Sequence, residues 1–518
     1  MLKGFVVIVC LLLHACMMVG PDYKEPQQNV AKHWLNKNAT VKETPIHDAA
    51  WWEVFHDRNL TSLIHTGYRQ NLSLQATGVH VLQARAQLAQ SVGQLYPQQQ
   101  ALTGSYNYNR IGGGSLQGLL PPTFDTALLG FNANWEIDFW GKYRRAIQSN
   151  DATFLASLSA YDNALVSLTA DIATAYINIR TTDRLIKITQ ENIQLQTMSL
   201  KLTQSRYKNG QTSLLDVDQA QTELAQTQAT LPSYVTQLQQ QKDALGLLLG
   251  VTPDKVDGLL EKQQTIPKAP ASVAVGIPKE TLARRPDIYQ ARQAAIAQLA
   301  SIGAIKANLY PSLSLVGTFA FASNTIPPSS ISDMFNWSNR SATAGPGLNW
   351  PILNYGQITN AVRAQDAAFQ QALLNYQQLV LQAQKEVQDH MTGFIEARKS
   401  EQYLQKAVKS AIQATKLTLI RYQEGESDYT TVLNALQQQL KVQTSLVNAE
   451  GAIPLALVAL YRALGGGWQI RQSNDIVPLQ VKQDMAARTD WGNLLTPMNH
   501  MPPATEWQTI TQRYLPTW

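Results

Sequence analysis

The sequence predicts a membrane α+β fold: a β-barrel wall to which each chain lends four strands, continued by a long α-helical coiled coil, with the whole unit duplicated inside the chain. Three observations predict it. Four short segments alternate apolar and polar residues. Two segments of more than sixty residues read as single helices. Landmarks of one half return in the other at a fixed offset. Tyr96-Pro97 returns as Tyr310-Pro311, Trp135 as Trp350, Arg206-Tyr207-x-x-Gly210 as Arg421-Tyr422-x-x-Gly425 and Leu249-Gly250 as Leu464-Gly465. The offsets are 214 and then 215 three times (310−96, 350−135, 421−206, 464−249). Self-similarity held in register over that distance indicates a doubled subdomain rather than a short solenoid repeat.

The N-terminus reads as an address. Lys3 and the apolar run Phe5 to Leu13 form a secretory signal, residues 1–15, too short for a transmembrane helix of ~20 residues. Leu13-His14-Ala15-Cys16 has the spacing of a bacterial lipobox, with His14 a departure at its second position. One reading is cleavage before Cys16 and acylation of its thiol; the other is an ordinary signal or anchor with an incidental cysteine. Several acyl chains on Cys16 would hold the protein at a bilayer stably.

Next come the strands. In 131–139, Phe131, Ala133, Trp135, Ile137 and Phe139 oppose Asn132, Asn134, Glu136 and Asp138. In 102–109, Leu102, Tyr106 and Tyr108 oppose Thr103, Ser105, Asn107 and Asn109. Segments 313–321 (Leu313, Leu315, Gly317, Phe319, Phe321) and 342–352 (Ala344, Leu348, Trp350, Ile352) alternate in the same way. Runs of ~9–11 residues with a polar side and aromatic ends suit a tilted transmembrane strand. A soluble sheet with one wet face shows the same alternation. Glu136 and Asp138 are expected to face a water-filled lumen. Gly/Pro/Ser/Asn-rich stretches 110–125 and 323–340 read as hairpin loops. Four strands cannot close a barrel, and open edges are forbidden in lipid. Three chains of four strands, a homotrimer, would give twelve.

The helices follow. Lys142 to about Tyr207 contains neither proline nor glycine, and Leu158, Leu165, Leu168, Ile172, Tyr176 and Ile179 form a helical stripe. Gln357 to Tyr422 matches it, interrupted only by Gly393. Each would span ~100 Å at 1.5 Å per residue. Each ends in a tight turn, with Gly210 and Gly425 as left-handed caps and Ser213 and Asp428 as N-caps of the returning helices. Pro232 and Pro454 are expected to kink or break the returns. The layout is that of a duct.

Composition excludes other classes. Charged residues are 15% of the chain, against about 25% in an average globular protein. The net charge of +5 has no basic run behind it, so nucleic acid is set aside. The only cysteines are Cys10 and Cys16, and the 8 histidines form no HExxH or HxH pattern, so no disulfide framework, metal or cofactor is predicted. There is no nucleophile elbow and no phosphate loop, so the chain is not read as an enzyme.

Motifs then carry a resemblance. Val19-Gly20-Pro21-Asp22-Tyr23-Lys24-x-Pro26, Trp51-Trp52 through Phe55, Asp57 and Leu60, Asn71-Leu72, Arg285-Pro286-Asp287-Ile288, the two Arg-Tyr-x-x-Gly tips and Ala459 to Trp468 resemble the TolC-type outer-membrane efflux proteins. The match is to the lipoprotein branch that serves multidrug pumps, and it covers about residues 16–468. The resemblance implies a trimeric twelve-stranded channel in the bacterial outer membrane, lipid-anchored, with a helical tunnel in the periplasm. It implies an inner-membrane pump, a periplasmic adaptor (membrane fusion protein) and outer-membrane lipid as partners. It implies passive conduction of drugs or other small molecules from periplasm to exterior, powered by the pump. It implies a mixed belt midway along the tunnel. The resulting division is 1–15 signal, 16–60 lipidated segment and belt, 61–249 first repeat, 250–285 linker or belt, 286–465 second repeat, and 466–518 a tail that is either belt or disordered. A duct for an ATP-driven protein exporter and a periplasmic coiled-coil scaffold are the alternatives.

A trimeric mouth presents every tip residue three times, so rings of charge there suit a reversible constriction. The gate candidates are Asp216, Asp218, Glu426 and Asp428. Arg206 and Arg421 are possible tethers, and with Gly210 and Gly425 they are the candidate adaptor contacts. The acids equally suit helix N-termini, where the dipole favours them.

Overall fold

The computed structural model describes residues 18–27, 29–35, 40–44, 49–112, 121–260, 265–471 and 474–497. Cys16 and the signal segment lie outside the described residues. After a two-residue strand β1 (Val41–Lys42) come helices α1 (Arg58–Gln70) and α2 (Leu72–Gly93), then strands β2 (Gln99–Arg110) and β3 (Thr123–Ile137). A helical hairpin of α3 (Lys142–Lys208) and α4 (Leu214–Leu249) follows. The linker holds α5 (Pro253–Leu259), β4 (Val273–Ala274) and α6 (Pro278–Ala283). The second half repeats the plan with α7 (Pro286–Lys306), β5 (Ser312–Asn324), β6 (Arg340–Asn349), α8 (Gln357–Gln423) and α9 (Tyr429–Ala463), before α10 (Leu479–Arg488).

The duplication is structural. Helices α3 and α8 each have 67 residues, and both their starts (357−142) and their ends (423−208) lie 215 apart. Each is ~100 Å long at 1.5 Å per residue. Both tips close with the same hydrogen bonds. The amide of Gln211 donates to the Arg206 carbonyl and that of Gly210 to Tyr207; Glu426 donates to Arg421 and Gly425 to Tyr422. This pair of hydrogen bonds across a left-handed residue satisfies carbonyls of the last helical turn. Gly210 (φ 68°) and Gly425 (φ 84°) occupy the positive-φ position that a side chain would strain.

Two expectations about helix ends need correction. Neither Pro232 nor Pro454 breaks its helix: α4 and α9 run through them. Each proline costs one internal hydrogen bond. Packing of α9 against α8 and α3, with Pro454 buried, holds the course of the chain. Ser213 precedes α4 with an extended backbone, yet its side chain makes no cap hydrogen bond.

The sheet of β2-β3-β5-β6 is antiparallel throughout. Its strands run longer than alternation predicts at most ends. β3 begins at Thr123, because Leu128-Leu129 interrupts the alternation without interrupting the ladder. Phe139 and the segment from Trp350 onward fall outside the strands. The intervening connection carries short 3-10 turns at Ile331–Asp333 and Trp337–Asn339.

The core sits along the middle of the helices. Trp51 and Trp52 are almost fully buried, and Trp51 stacks on Tyr461 at 5.4 Å. Beta strand β1 pairs with β4 in parallel, joining the N-terminal arm to the linker. Residues after α9 join this region. Ile476, Val477 and Met485 are buried with it. Arg85 on α2 donates to the carbonyls of Leu494 (2.6 Å) and Thr496 (3.0 Å). Arg471 pairs with buried Asp162 of α3 through two hydrogen bonds. Burial pushes the Asp162 carboxyl upward, and Arg471 opposes that shift.

Candidate channel wall and periplasmic tip

The register joins four separately read stripes into one face. Leu102 pairs with Phe131, Phe131 with Phe319 and Phe319 with Ala342; Ile137 pairs with Leu313 and Leu313 with Leu348. The opposite face carries Asn132, Thr318 and Thr343 in one row, with Thr103 one step along, diagonal to Asn132. The Asn132 amide donates to the Thr103 hydroxyl at 2.9 Å. Among the described residues nothing covers the apolar face: Leu102 is 72% exposed, Phe131 46% and Leu348 72%. A soluble sheet buries its apolar face. This one leaves the face open, and β2 and β6 have no further strand partner among the described residues. Such edges are tolerable in lipid only when another chain pairs with them.

Aromatic residues mark both ends of the wall. Tyr106 and Tyr108 lie toward the loops. At the helical end Trp140 stacks on Tyr310 at 4.8 Å and donates to the Pro311 carbonyl, and the Trp350 indole donates to that of Leu309. Interfacial indoles of this kind suit a headgroup level.

Glu136, on the Asn132 face at the helical end of β3, and Asp138 just beyond it are bound to the start of α3 rather than left as free charges. Asp138 lies beyond β3 and accepts from the backbone amides of Tyr143 and Arg144, both at 3.0 Å, and from Arg144 Nε at 2.9 Å. It caps the start of α3, where a carboxylate meets free amides and the positive end of the dipole. Glu136 accepts from Lys142 Nζ at 3.1 Å and the Tyr143 hydroxyl at 3.0 Å. Alternation correctly set both apart from the apolar face. It could not show that a basic helix start returns to them.

At the far end the two halves differ in how they use equivalent arginines. Arg206 reaches across to the other hairpin. Its Nη1 donates to the carbonyls of Tyr422 and Gln423, at 2.5 and 2.9 Å, and its guanidinium lies 4.8 Å from the Tyr422 ring centroid. It therefore satisfies the C-terminal carbonyls of α8, where a cation complements the dipole. Arg421 stays within its own turn, 3.6 Å from Glu426, with both side chains mostly exposed. Such a surface pair contributes little.

Among the acids, Asp428 is a helix cap, accepting from the Thr431 amide and hydroxyl at 2.8 Å each. Those bonds hold its carboxyl below the usual carboxylate range. With a depressed value, the cap's contribution is full above the unfolded pKa and fades only as pH falls through the folded one. Mild acidification from neutral pH is therefore expected to leave the start of α9 intact, as hydrogen exchange at Thr431 corrected for intrinsic rate would show. Asp216 accepts from the Thr212 hydroxyl and Asp218 is exposed. The structure thus brings Arg206 to the Gly425 turn and keeps Glu426 with Arg421. It leaves Asp216 in the first turn of α4, Asp218 just past it, and Asp428 as the N-cap of α9.

Sequence reading missed the buried layer behind the tips. Glu223 of α4 is 7% exposed and accepts from the amides of Gln196 on α3 (3.3 Å) and Gln437 on α9 (2.7 Å). It crosses from one hairpin to the other. Its one signal is an acid set among Ala220, Leu224 and Thr227 on the inward side of α4. Beside it Leu200, Tyr422, Tyr429, Val432 and Leu436 form a small apolar cluster.

Comparison with known proteins places these features. The model of the outer membrane efflux protein family matches residues 63–251 and 277–466. The cation efflux system protein CusC of Escherichia coli (strain K12) is 28% identical over 471 residues, covering 89% of this chain and 98% of that protein. The outer membrane protein OprJ of Pseudomonas aeruginosa is 27% identical over 472 residues, covering 89% and 95%. The solved structure of the outer-membrane channel OprN superposes with a TM-score of 0.81 at 28% identity, covering 87% of this chain and 99% of that one. The Campylobacter jejuni CmeC channel shares the fold, with a TM-score of 0.78 at 21% identity over 92% and 99% of the two chains.

Proposed function

Because the chain belongs to the outer membrane efflux protein family and is the outer-membrane channel of an efflux system, we propose that three copies close one pore and pass small molecules outward for a pump in the inner membrane. The observation that carries this is the bare-edged, two-faced sheet joined to helices ~100 Å long. Three sheets of four strands make an even wall of twelve, with the Phe131 face toward lipid and the Asn132 face toward water. The helical hairpins continue the lumen into the periplasm. Conduction is passive, since a wet, weakly polar lumen has no means of doing work, and a periplasmic adaptor seats on the tips. Relatives named for cation, antibiotic and solvent efflux support a small-molecule cargo over a secreted protein. The test is direct. The detergent-purified protein is expected to run as a heat-labile trimer and to conduct in planar bilayers, and its deletion to sensitise cells to antibiotics or metal ions. A monomer extracted without detergent would overturn the reading.

Lipidation at Cys16 belongs to the same proposal. The Val19 amide donates to the Trp140 carbonyl at 3.0 Å, and buried Arg145 donates to the Val19 and Gly20 carbonyls and to Asp22. The chain just beyond Cys16 is therefore held at the aromatic level of the wall, within reach of a bilayer surface. Intact-mass measurement of the mature protein should show acyl chains, and Cys16→Ala should lose them.

The mouth of the tunnel is the proposed gate. Asp216, Asp218, Glu426 and Asp428 ring it, and Arg206 ties its two hairpins together. Arg206→Ala is expected to cost about 1.5–3 kcal/mol at the tip, the range for hydrogen bonds to a charged group. Arg421→Ala should cost at most about 1 kcal/mol, as exposed pairs do. Leak of large antibiotics should therefore rise in Arg206→Ala and stay near baseline in Arg421→Ala at equal trimer levels. Neutralising Glu426 and Asp428 together should also raise leak. Equal leak in the two arginine variants would remove the tether from the gate.

A further inference from the structure

We propose that the outer rim of the barrel carries a binding site for an anionic, phosphomonoester-bearing lipid headgroup at each seam between protomers, built from Arg340 of one chain and Arg110 of its neighbour. The inference rests on the trimeric closure above and adds a specific ligand to it.

The argument starts from where the wall keeps its cations. Across all four strands the only basic residues are Arg110 and Arg340. A water-filled lumen would solvate an arginine freely, yet the register puts neither there. Arg110 pairs with Thr123, and stepping by two along the ladder leads to Leu102–Phe131 on the apolar face. Arg340 pairs with Phe321, two residues from Phe319 on that same face. Both therefore stand on the side turned to lipid. Both also lie at the loop end of their strands, far from the helices, and so at the outer leaflet. An arginine on the lipid side costs about 2–4 kcal/mol at the midplane but only about 0–1 kcal/mol near the interface. Placement at the rim is tolerated by the bilayer, and placement on the lipid side serves no lumen purpose.

Arg340 is already shaped for an anion. Its guanidinium lies 4.2 Å from the Trp337 ring centroid, and its Nη1 donates to the Trp337 carbonyl. Stacking holds the fork flat and leaves other donors outward, the geometry that matches phosphate oxygens. Trp337 and Phe335 are 66% and 65% exposed. Phe335 contacts Phe321 at 5.9 Å and so continues the apolar face upward. Apolar rings below and a guanidinium above match acyl chains below and a phosphorylated headgroup above. The one carboxylate registered on this face of the strands, Asp125, hydrogen-bonds Tyr106.

The seam supplies the second cation. β2 and β6 are the two edges of the four-stranded unit and run in opposite directions, so closure sets β6 of one chain beside β2 of the next in the antiparallel sense. Arg340 and the neighbour's Arg110 then stand at the outer ends of adjacent strands on one face. A single chain holds them at opposite edges, so the site is incomplete without its partner copy.

The test uses the full-length trimer in phosphatidylcholine nanodiscs doped with either a bis-phosphorylated glucosamine acyl lipid or phosphatidylethanolamine, with bound lipid counted by native mass spectrometry. The anionic bis-phosphorylated lipid is expected to be retained in preference to zwitterionic phosphatidylethanolamine, saturating at one per chain. Arg110→Gln with Arg340→Gln should weaken retention by on the order of tenfold, as loss of two headgroup cations implies, while excess inorganic phosphate leaves it in place. Equal retention of the two lipids by the unsubstituted trimer overturns the proposal, as does undiminished retention by an intact double variant. Displacement by inorganic phosphate assigns the arginines to free phosphate and overturns the lipid source. An unsubstituted protein that forms no trimer fails earlier, at the closure reading, and removes the seam with it.

Discussion

Phe131→Arg is expected to remove the assembled protein from the outer membrane, while Asn132→Arg, one residue along, leaves a trimer there. Phe131 lies near the middle of β3 between Leu102 and Phe319. If that face meets lipid, an arginine near the midplane costs about 2–4 kcal/mol per copy. Three copies fall in one barrel, so the penalty of about 6–12 kcal/mol is comparable to the about 5–15 kcal/mol by which proteins are ordinarily stable. Asn132 faces the other way and loses one neutral hydrogen bond to Thr103, worth about 1 kcal/mol. A cation there should instead shift conductance toward anions. Heat-modifiable trimer on gels and abundance in the membrane fraction read the outcome. If Asn132→Arg were the variant that vanished, the two faces would be reversed. If both persisted equally, the sheet would not be in lipid.

Arg285→Ala is expected to be the most damaging single change in the helical body. Arg285 precedes α7 and is 6% exposed. It grips Asp287 through Nε (3.0 Å) and Nη2 (2.6 Å), reaches Glu386 on α8 at 3.0 Å, and donates to the Ala463 carbonyl at the end of α9 at 2.7 Å. One side chain thus ties three helices together. Burial is the largest single influence and disfavours its charge, but Asp287 and Glu386 together outweigh it and raise its pKa. Removing it strands Asp287, an α9 terminal carbonyl and part of the charge of Glu386. Breaking one partner out of a buried pair costs about 3–5 kcal/mol. Arg285→Lys keeps the charge but not the planar fork, and should recover only part of the loss. Denaturation midpoints in detergent, compared with Arg421→Ala as a surface control, decide the matter. A midpoint for Arg285→Ala no lower than that control would show the knot to be ornamental.

Much of this architecture could be read from local pattern. Alternation over 131–137 and the glycine-free run after Lys142 are signals carried by neighbouring residues, and the 215-residue offset compares the chain with itself. Period 2 and period 3.6 survive whatever packs outside them. The left-handed turns at Gly210 and Gly425 were legible for the same reason, since the constraint is on one backbone angle. A break at Pro232 or Pro454 does not occur, because proline propensity is local and, around buried Pro454, packing holds α9. The partners of Glu136 and Asp138 were not legible, because a polar residue at a strand end does not reveal the helix start that returns to it.

The tip shows the limit most clearly. Arg206 and Arg421 sit in the same motif, and no local property separates them. One reaches carbonyls 216 and 217 residues away and the other a glutamate of its own turn. Glu223 joins three helices through amides 27 residues before it and 214 after it. Residues beyond Trp468 pack on the belt through Arg471 and Arg85, over separations of 309 residues and more. The chain alone determined which segments are strands, which are long helices, and that the strands are too few to close. Only the tertiary structure decided which charges are paired and which of two equivalent arginines ties the hairpins. Periodicity is a property of adjacent residues, whereas a charge takes its meaning from whatever distant group the fold brings within 3 or 4 Å of it.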